Sequence, residues 1–157
     1  MIRFVYLISM LLFSNLTFTQ TVKIEKYSLT IEKSQIKIDN KNSFLIVPTS
    51  LKNNSNDTLK FYSMSCSWQL FYLVDNKNLK IELVGCDKNI PIILTLNPGQ
   101  IRTIEIKLLI NQKIDKGTEI KFRIGFNLLR KLDNQKMFDF KDVLNKKNVI
   151  WSNMITM

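Results

Sequence analysis

Beyond residue 22 the chain runs in short stretches where every second side chain is apolar, separated by clusters of turn formers. That period belongs to strands with one buried face. Over 22–32 the apolar parity changes. Val22 and Ile24 hold one face and Tyr27, Leu29 and Ile31 the other, which predicts a bulge or a change of sheet near Lys26. Ile36 and Ile38 continue the alternation up to an Asp39-Asn40-Lys41-Asn42 turn. A strand over 44–51 contains Pro48, which predicts an edge or a bulge. Asn53-Asn54-Ser55-Asn56-Asp57 is a loop, and further strands are expected over 58–64 and 91–96.

Residues 68–74 and 79–84 flank Asp75-Asn76-Lys77-Asn78 and read as a hairpin. With Asn76 at its centre, Trp68 faces Val84, Leu70 faces Glu82, Phe71 faces Ile81 and Leu73 faces Leu79. Asn97-Pro98-Gly99-Gln100 fits a type II turn, with proline presetting the first φ and glycine accepting the positive second one. The strand after it, 101–110, places Ile104, Ile106, Leu108 and Ile110 on one face. Asp115-Lys116-Gly117 turns the chain again. Over 119–128, Ile120, Phe122, Ile124, Phe126 and Leu128 point one way; Glu119, Lys121, Arg123 and Asn127 point to water. The charged stretch 130–147 is a long connection. Met137, Phe140, Val143 and Leu144 are spaced in it for a short amphipathic helix. A last strand is expected over 149–156.

This succession predicts an all-β, antiparallel sandwich with a short helix or long loop before its last strand. Composition agrees. The 157 residues contain no alanine, the best helix former, and are rich in isoleucine, phenylalanine, threonine and valine. A 45% hydrophobic share supports a folded core, and neither a repeat nor a low-complexity linker divides it. One domain over 20–157 is expected.

The first 19 residues read differently. Arg3 precedes the apolar run Phe4 to Phe13, which suits a signal-peptide core and is short for a bilayer. Thr17 and Thr19 occupy the −3 and −1 positions for cleavage before Gln20. A buried first strand or an uncleaved anchor is the plain alternative. No later stretch is long enough to span a membrane as a helix, so no transmembrane segment is expected after cleavage. Export to a periplasm or the cell exterior makes the even pair Cys66 and Cys86 read as a disulfide. The hairpin register above would set the two directly opposite each other. Two free buried thiols are the alternative. A redox pair would call for Cys-x-x-Cys spacing.

Net charge is +10, or +9 once Arg3 is removed, which favours anionic partners. The candidate surface is Lys121 and Arg123 together with Arg130, Lys131, Lys136, Lys141, Lys146 and Lys147. Solubility alone is the ordinary explanation of such an excess. The aromatic stretch Phe61, Tyr62, Trp68, Phe71 and Tyr72 is core by default. A glycan- or peptide-binding face is the sharper reading, and Trp151 shares the ambiguity.

The chain has no histidine, which removes imidazole-based triads, histidine metal sites and imidazole switches. Two cysteines do not make a Cys₄ zinc site, and the scattered glycines 85, 99, 117 and 125 form no phosphate loop. Asp139 and Asp142 are the nearest thing to a catalytic carboxylate pair and read as solvated charges. No catalytic residue, metal or cofactor is expected.

Leu51-Lys52-Asn53-Asn54-Ser55, and Leu96-Asn97-Pro98-Gly99-Gln100 before a long strand, resemble the immunoglobulin-like sandwich modules of secreted bacterial proteins. They are also loosely similar to proteinase-inhibitor-type β-sandwich domains. The resemblance spans roughly 25–128 and rests on turn chemistry, so it implies a fold and transfers no site residue. The expected function is non-enzymatic binding or assembly, through contact with an anionic envelope glycan or another exported protein. Nucleic acid is not an expected ligand. The alternative is an inhibitor of an extracellular protease acting through a rigid loop.

Overall fold

The computed structural model describes residues 25–33, 35–39, 42–110, 119–133 and 138–157; for Gln35, Ile36, Ile38, Asp39 and Asn42 it describes the backbone alone. The signal-peptide stretch 1–19, Val22, Ile24, the Asp115-Lys116-Gly117 turn, Lys136 and Met137 lie outside the described residues. In chain order the strands are β1 (Tyr27–Ile31), β2 (Gln35–Asp39), β3 (Asn42–Asn53), β4 (Leu59–Met64), β5 (Tyr72–Val74) and β6 (Leu79–Ile81). They continue as β7 (Pro91–Leu96), β8 (Ile101–Ile110), β9 (Lys121–Phe122), β10 (Ile124–Asn127), β11 (Val149–Trp151) and β12 (Ile155–Thr156). A 3-10 turn covers Trp68–Phe71, and one short helix, α1, covers Phe140–Asn145. Every strand pairing among the described residues is antiparallel, so the protein is all-β.

One sheet has the order β1-β3-β8-β6, with β2 pairing the other end of β3. Here Pro48 sits in a central strand and faces Glu105 of β8. An edge position is therefore ruled out, the register to β8 runs unbroken through Pro48, and the proline is accommodated opposite the gap between β1 and β2. The carbonyl of Pro48 accepts from Glu32 N–H at 3.1 Å, just where β1 ends and β2 has not begun. In an antiparallel pair a residue's N–H and C=O face the same neighbour, so the missing donor points at this interruption.

The second layer is built on the central segment 120–131, which holds β9 and β10. β11 and β12 pair one side of it, at Asn127–Gly125 and Phe122–Lys121. The register slips by one residue between them: Ser152 N–H still donates to Ile124 O at 2.9 Å, and Asn153 and Met154 lie between the two strands, so the single last strand expected over 149–156 is two. β5 pairs the opposite side at Ile124–Phe126. β4 follows farther along that side through Tyr62 N–H to Leu129 O (2.9 Å) and Lys131 N–H to Lys60 O (2.8 Å), and β7 pairs β4. At Gly125 the backbone is covered from both neighbours. A Cβ there would lie 2.7 Å from Val149 Cγ1 and 3.0 Å from Leu73 Cγ.

Inward residues of both layers form one core. Leu45, Val47, Ile106 and Leu108 of the first sheet meet Phe61, Phe122, Ile124 and Phe126 of the second. The alternation over 119–128 is obeyed on its apolar side. Asn127 departs from it: it is fully buried instead of facing water. The segment after residue 138 folds over that face, and Asn127 Nδ2 donates to the carbonyls of Asp142 (3.0 Å) and Val143 (3.3 Å) of α1. The helix itself is shorter and less amphipathic than its spacing suggested. Of its described members Val143 is buried, while Phe140 and Leu144 are exposed.

The Trp68–Val84 hairpin is not formed. Trp68–Phe71 is a 3-10 turn, β5 belongs with β10, and β6 crosses to β8. Asn76 makes the corner between layers: its Oδ1 accepts from Asn78 N–H at 2.8 Å and its Nδ2 donates to Lys121 O at 2.8 Å. Alternation shows which face of a strand is buried and not which strand lies beside it, so Leu79 and Ile81 looked the same in either arrangement.

Asn53 locks the two turn motifs together. Buried completely, it donates from Nδ2 to Asp57 O (2.8 Å) and Leu96 O (2.9 Å) and accepts on Oδ1 from Ser55 N–H (3.0 Å). Its carbonyl accepts from Gly99 N–H at 2.8 Å. Gly99 has φ +74°, and Gln100 N–H closes the turn onto Asn97 O at 3.0 Å, as the type II geometry requires.

Candidate functional site

Cys66 and Cys86 form a disulfide with Cα atoms 6.3 Å apart. It does not bridge a hairpin. It joins the loop after β4 to the loop between β6 and β7. Asn89 reinforces the clamp by accepting on Oδ1 from Cys66 N–H (3.3 Å) and Ser67 N–H (3.2 Å). Ser65 N–H donates to Ile90 O at 2.9 Å. The bond is therefore a staple on two loops that the sheets do not hold.

The basic residues fall into separate places. Lys121 pairs with Glu119 at 3.3 Å. Arg123 Nε pairs with Asp75 at 2.8 Å, its backbone N–H donates to the same carboxylate at 2.7 Å, and its guanidinium lies 5.0 Å from the Trp151 ring. Their charge is largely answered locally. Arg130 stands nine residues beyond Lys121, about 30 Å along an extended chain. Lys141 is exposed on α1. Lys146 closes α1 in the left-handed region (φ +46°) and borders a different hollow, beside Gln69. Lys131 donates from Nζ to Leu132 O at 2.7 Å. Lys136 lies outside the described residues.

Arg130 and Lys147 are brought together. They flank a cleft of about 550 Å³ where the end of the central strand, β11, β1 and the α1 segment meet. That size falls in the ~300–1,000 Å³ range of small-molecule sites. Tyr27, Tyr62 and Phe138 supply its aromatic walls, and Asp142 and Asn148 add polar groups. The local folding explains each placement. Arg130 bridges Phe61 of β4, which projects its guanidinium to 5.8 Å from the Tyr27 ring. Lys147 follows the left-handed C-cap that ends α1. The Tyr62 ring packs 5.0 Å from that of Phe138. Its phenol oxygen is buried and has no hydrogen-bond partner among the described residues.

Of the rest of the aromatic stretch, Phe61 and Phe71 are buried in the core, and Trp68 and Tyr72 are half-buried against it. Tyr72 stacks on Phe126 at 4.7 Å, Trp68 meets Tyr72 edge-on at 5.8 Å, and Phe61 meets Phe126 edge-on at 5.8 Å. Burial pushes the Tyr72 phenol well above its ordinary range, with Arg102 opposing in part. The sequence singled out Arg130, Lys147 and Tyr62 without linking them, and it did not mark Tyr27, Phe138 or Asn148. Nothing in the period-2 pattern reports that a long connection will fold back over a strand end.

Among the described residues no helix is long and apolar enough to cross a membrane, and no three potential metal-ligating side chains come together. Comparison with protein-family models, curated proteins and solved structures gives no match.

Proposed function

We propose that the protein is an exported, non-catalytic immunoglobulin-like module that binds an anionic component of a cell envelope. The observation that carries this reading is the cleft. Arg130 and Lys147 share it, and among the described residues neither is ion-paired, whereas Lys121 is paired with Glu119 and Arg123 with Asp75. The Cys66–Cys86 bond supports an oxidising compartment. Antiparallel layers joined by the Asn53-locked turns support the immunoglobulin-like assignment. The test is binding of polygalacturonate, with neutral dextran as control, at low and physiological salt. Charge-led binding weakens steeply with salt and falls in Arg130→Ala/Lys147→Ala. Binding that ignores both salt and this double substitution contradicts the proposal.

A second reading, a protease inhibitor, draws on one feature. Leu83 and Val84 are 54% and 51% exposed on the loop that the disulfide and Asn89 hold. Stoichiometric inhibition of subtilisin or chymotrypsin with this loop intact would support it; rapid cleavage there would exclude it.

A further inference from the structure

We infer that the cleft between β11, β1 and the α1 segment is built for one carboxylate-bearing sugar residue, with Tyr62 as its buried hydrogen-bond donor. This deepens the proposed function and rests on it, because the sugar would belong to the anionic partner.

The starting point is the state of Tyr62. The residue is 3% exposed, its backbone is fixed to Leu129, and its ring is fixed against Phe138. Its hydroxyl is nevertheless buried without a partner among the described residues, although the residue lines the cleft. A phenylalanine would pack there with no orphan to leave, so the hydroxyl is a donor left over for an acceptor that enters the cleft.

The charges around it narrow the chemistry. Two cations, Arg130 and Lys147, stand with one carboxylate, Asp142, on the same walls. A phosphate or sulfate offers acceptors only and would be opposed by Asp142. A polyhydroxylated acid suits all three: its carboxylate meets Arg130 and Lys147, and its hydroxyls donate to Asp142. The same hydroxyls accept from Tyr62. Asn148 on the cleft wall offers both a donor and an acceptor, as a hydroxylated ring requires. Tyr27 and Phe138 give flat apolar faces on which the C–H side of a pyranose lies. Arg130 is already steered by the Tyr27 ring at 5.8 Å.

The experiment is calorimetric titration of the full protein with the dimers of galacturonate, glucuronate and mannuronate and with their neutral counterparts. Polygalacturonate is titrated in parallel across salt. The variants are Tyr62→Phe and Arg130→Ala/Lys147→Ala, with unchanged melting temperature as the check on folding. At least one acidic dimer should bind and its neutral counterpart should not. Tyr62→Phe should weaken that dimer about tenfold and leave the salt dependence of the polymer unchanged, because it removes no charge. The double variant should lower that salt dependence. If a dimer binds and Tyr62→Phe matches the parent, the inference is overturned while the anionic-partner reading stands. If the polymer binds and no dimer does, the cleft is not a sugar subsite. If neither binds, both readings fail.

Discussion

The side chain of Asn153 and the backbone of Ile31 exchange two hydrogen bonds: Ile31 N–H donates to Oδ1 at 2.8 Å, and Nδ2 donates to Ile31 O at 3.1 Å. The amide stands in for a missing rung between the edge of the first sheet and the break between β11 and β12. It joins residues 122 apart in sequence. Ile31 is itself buried at 4% exposure, so water replaces these partners poorly. Asn153→Ala is expected to lower stability by about 1–3 kcal/mol, read from the urea midpoint. An unchanged midpoint would mean that the two layers are held together there by packing alone.

Tyr72 makes an alkaline prediction. Its phenol has an ordinary value of 10.0 and is raised in the fold by burial, with Arg102 opposing. The unfolded chain therefore gives up this proton first. The contribution of Tyr72 is fully present below about pH 10 and is lost as pH rises from there toward the higher folded value. Melting temperature followed from pH 8 upward should fall more steeply for the parent than for Tyr72→Phe. Parallel curves would contradict the buried state of the phenol.

The strands were legible where local chemistry decides them. Gly99 and Pro98 announced the turn before β8, and the alternation from Ile120 to Leu128 named five residues that all reach the core. Partnership was not legible. β5 and β6 flank Asn76 closely enough for a hairpin, yet each bonds to a strand far away in sequence, because burying Leu79 and Ile81 against β8 satisfies the same pattern. For the same reason the cysteines paired as expected, on loops where a ladder had been anticipated. The cleft was the least legible part. It depends on Asn127, which reads as a surface residue and instead tethers α1 over the end of β10.

The loop position of the disulfide has its own consequence. Replacing both cysteines with serine should cost about 3 kcal/mol of stability, the chain-entropy value for a loop of this size. Hydrogen exchange should localise the damage. The amides of Cys66→Ser and Ser67, which Asn89 holds, should exchange faster, while those of β5 and β6 keep their protection. Equal loss of protection in β5 and β6 would show that the staple acts on the ladders after all.

The most direct measurement is an amide chemical-shift map of the protein titrated with the uronate dimer that binds best. Saturable shifts are expected at Tyr27, Tyr62, Arg130, Asp142 and Asn148, with Lys121, Arg123 and Trp151 unmoved. Shifts centred on Lys121, Arg123 and Trp151, with the cleft silent, would contradict it.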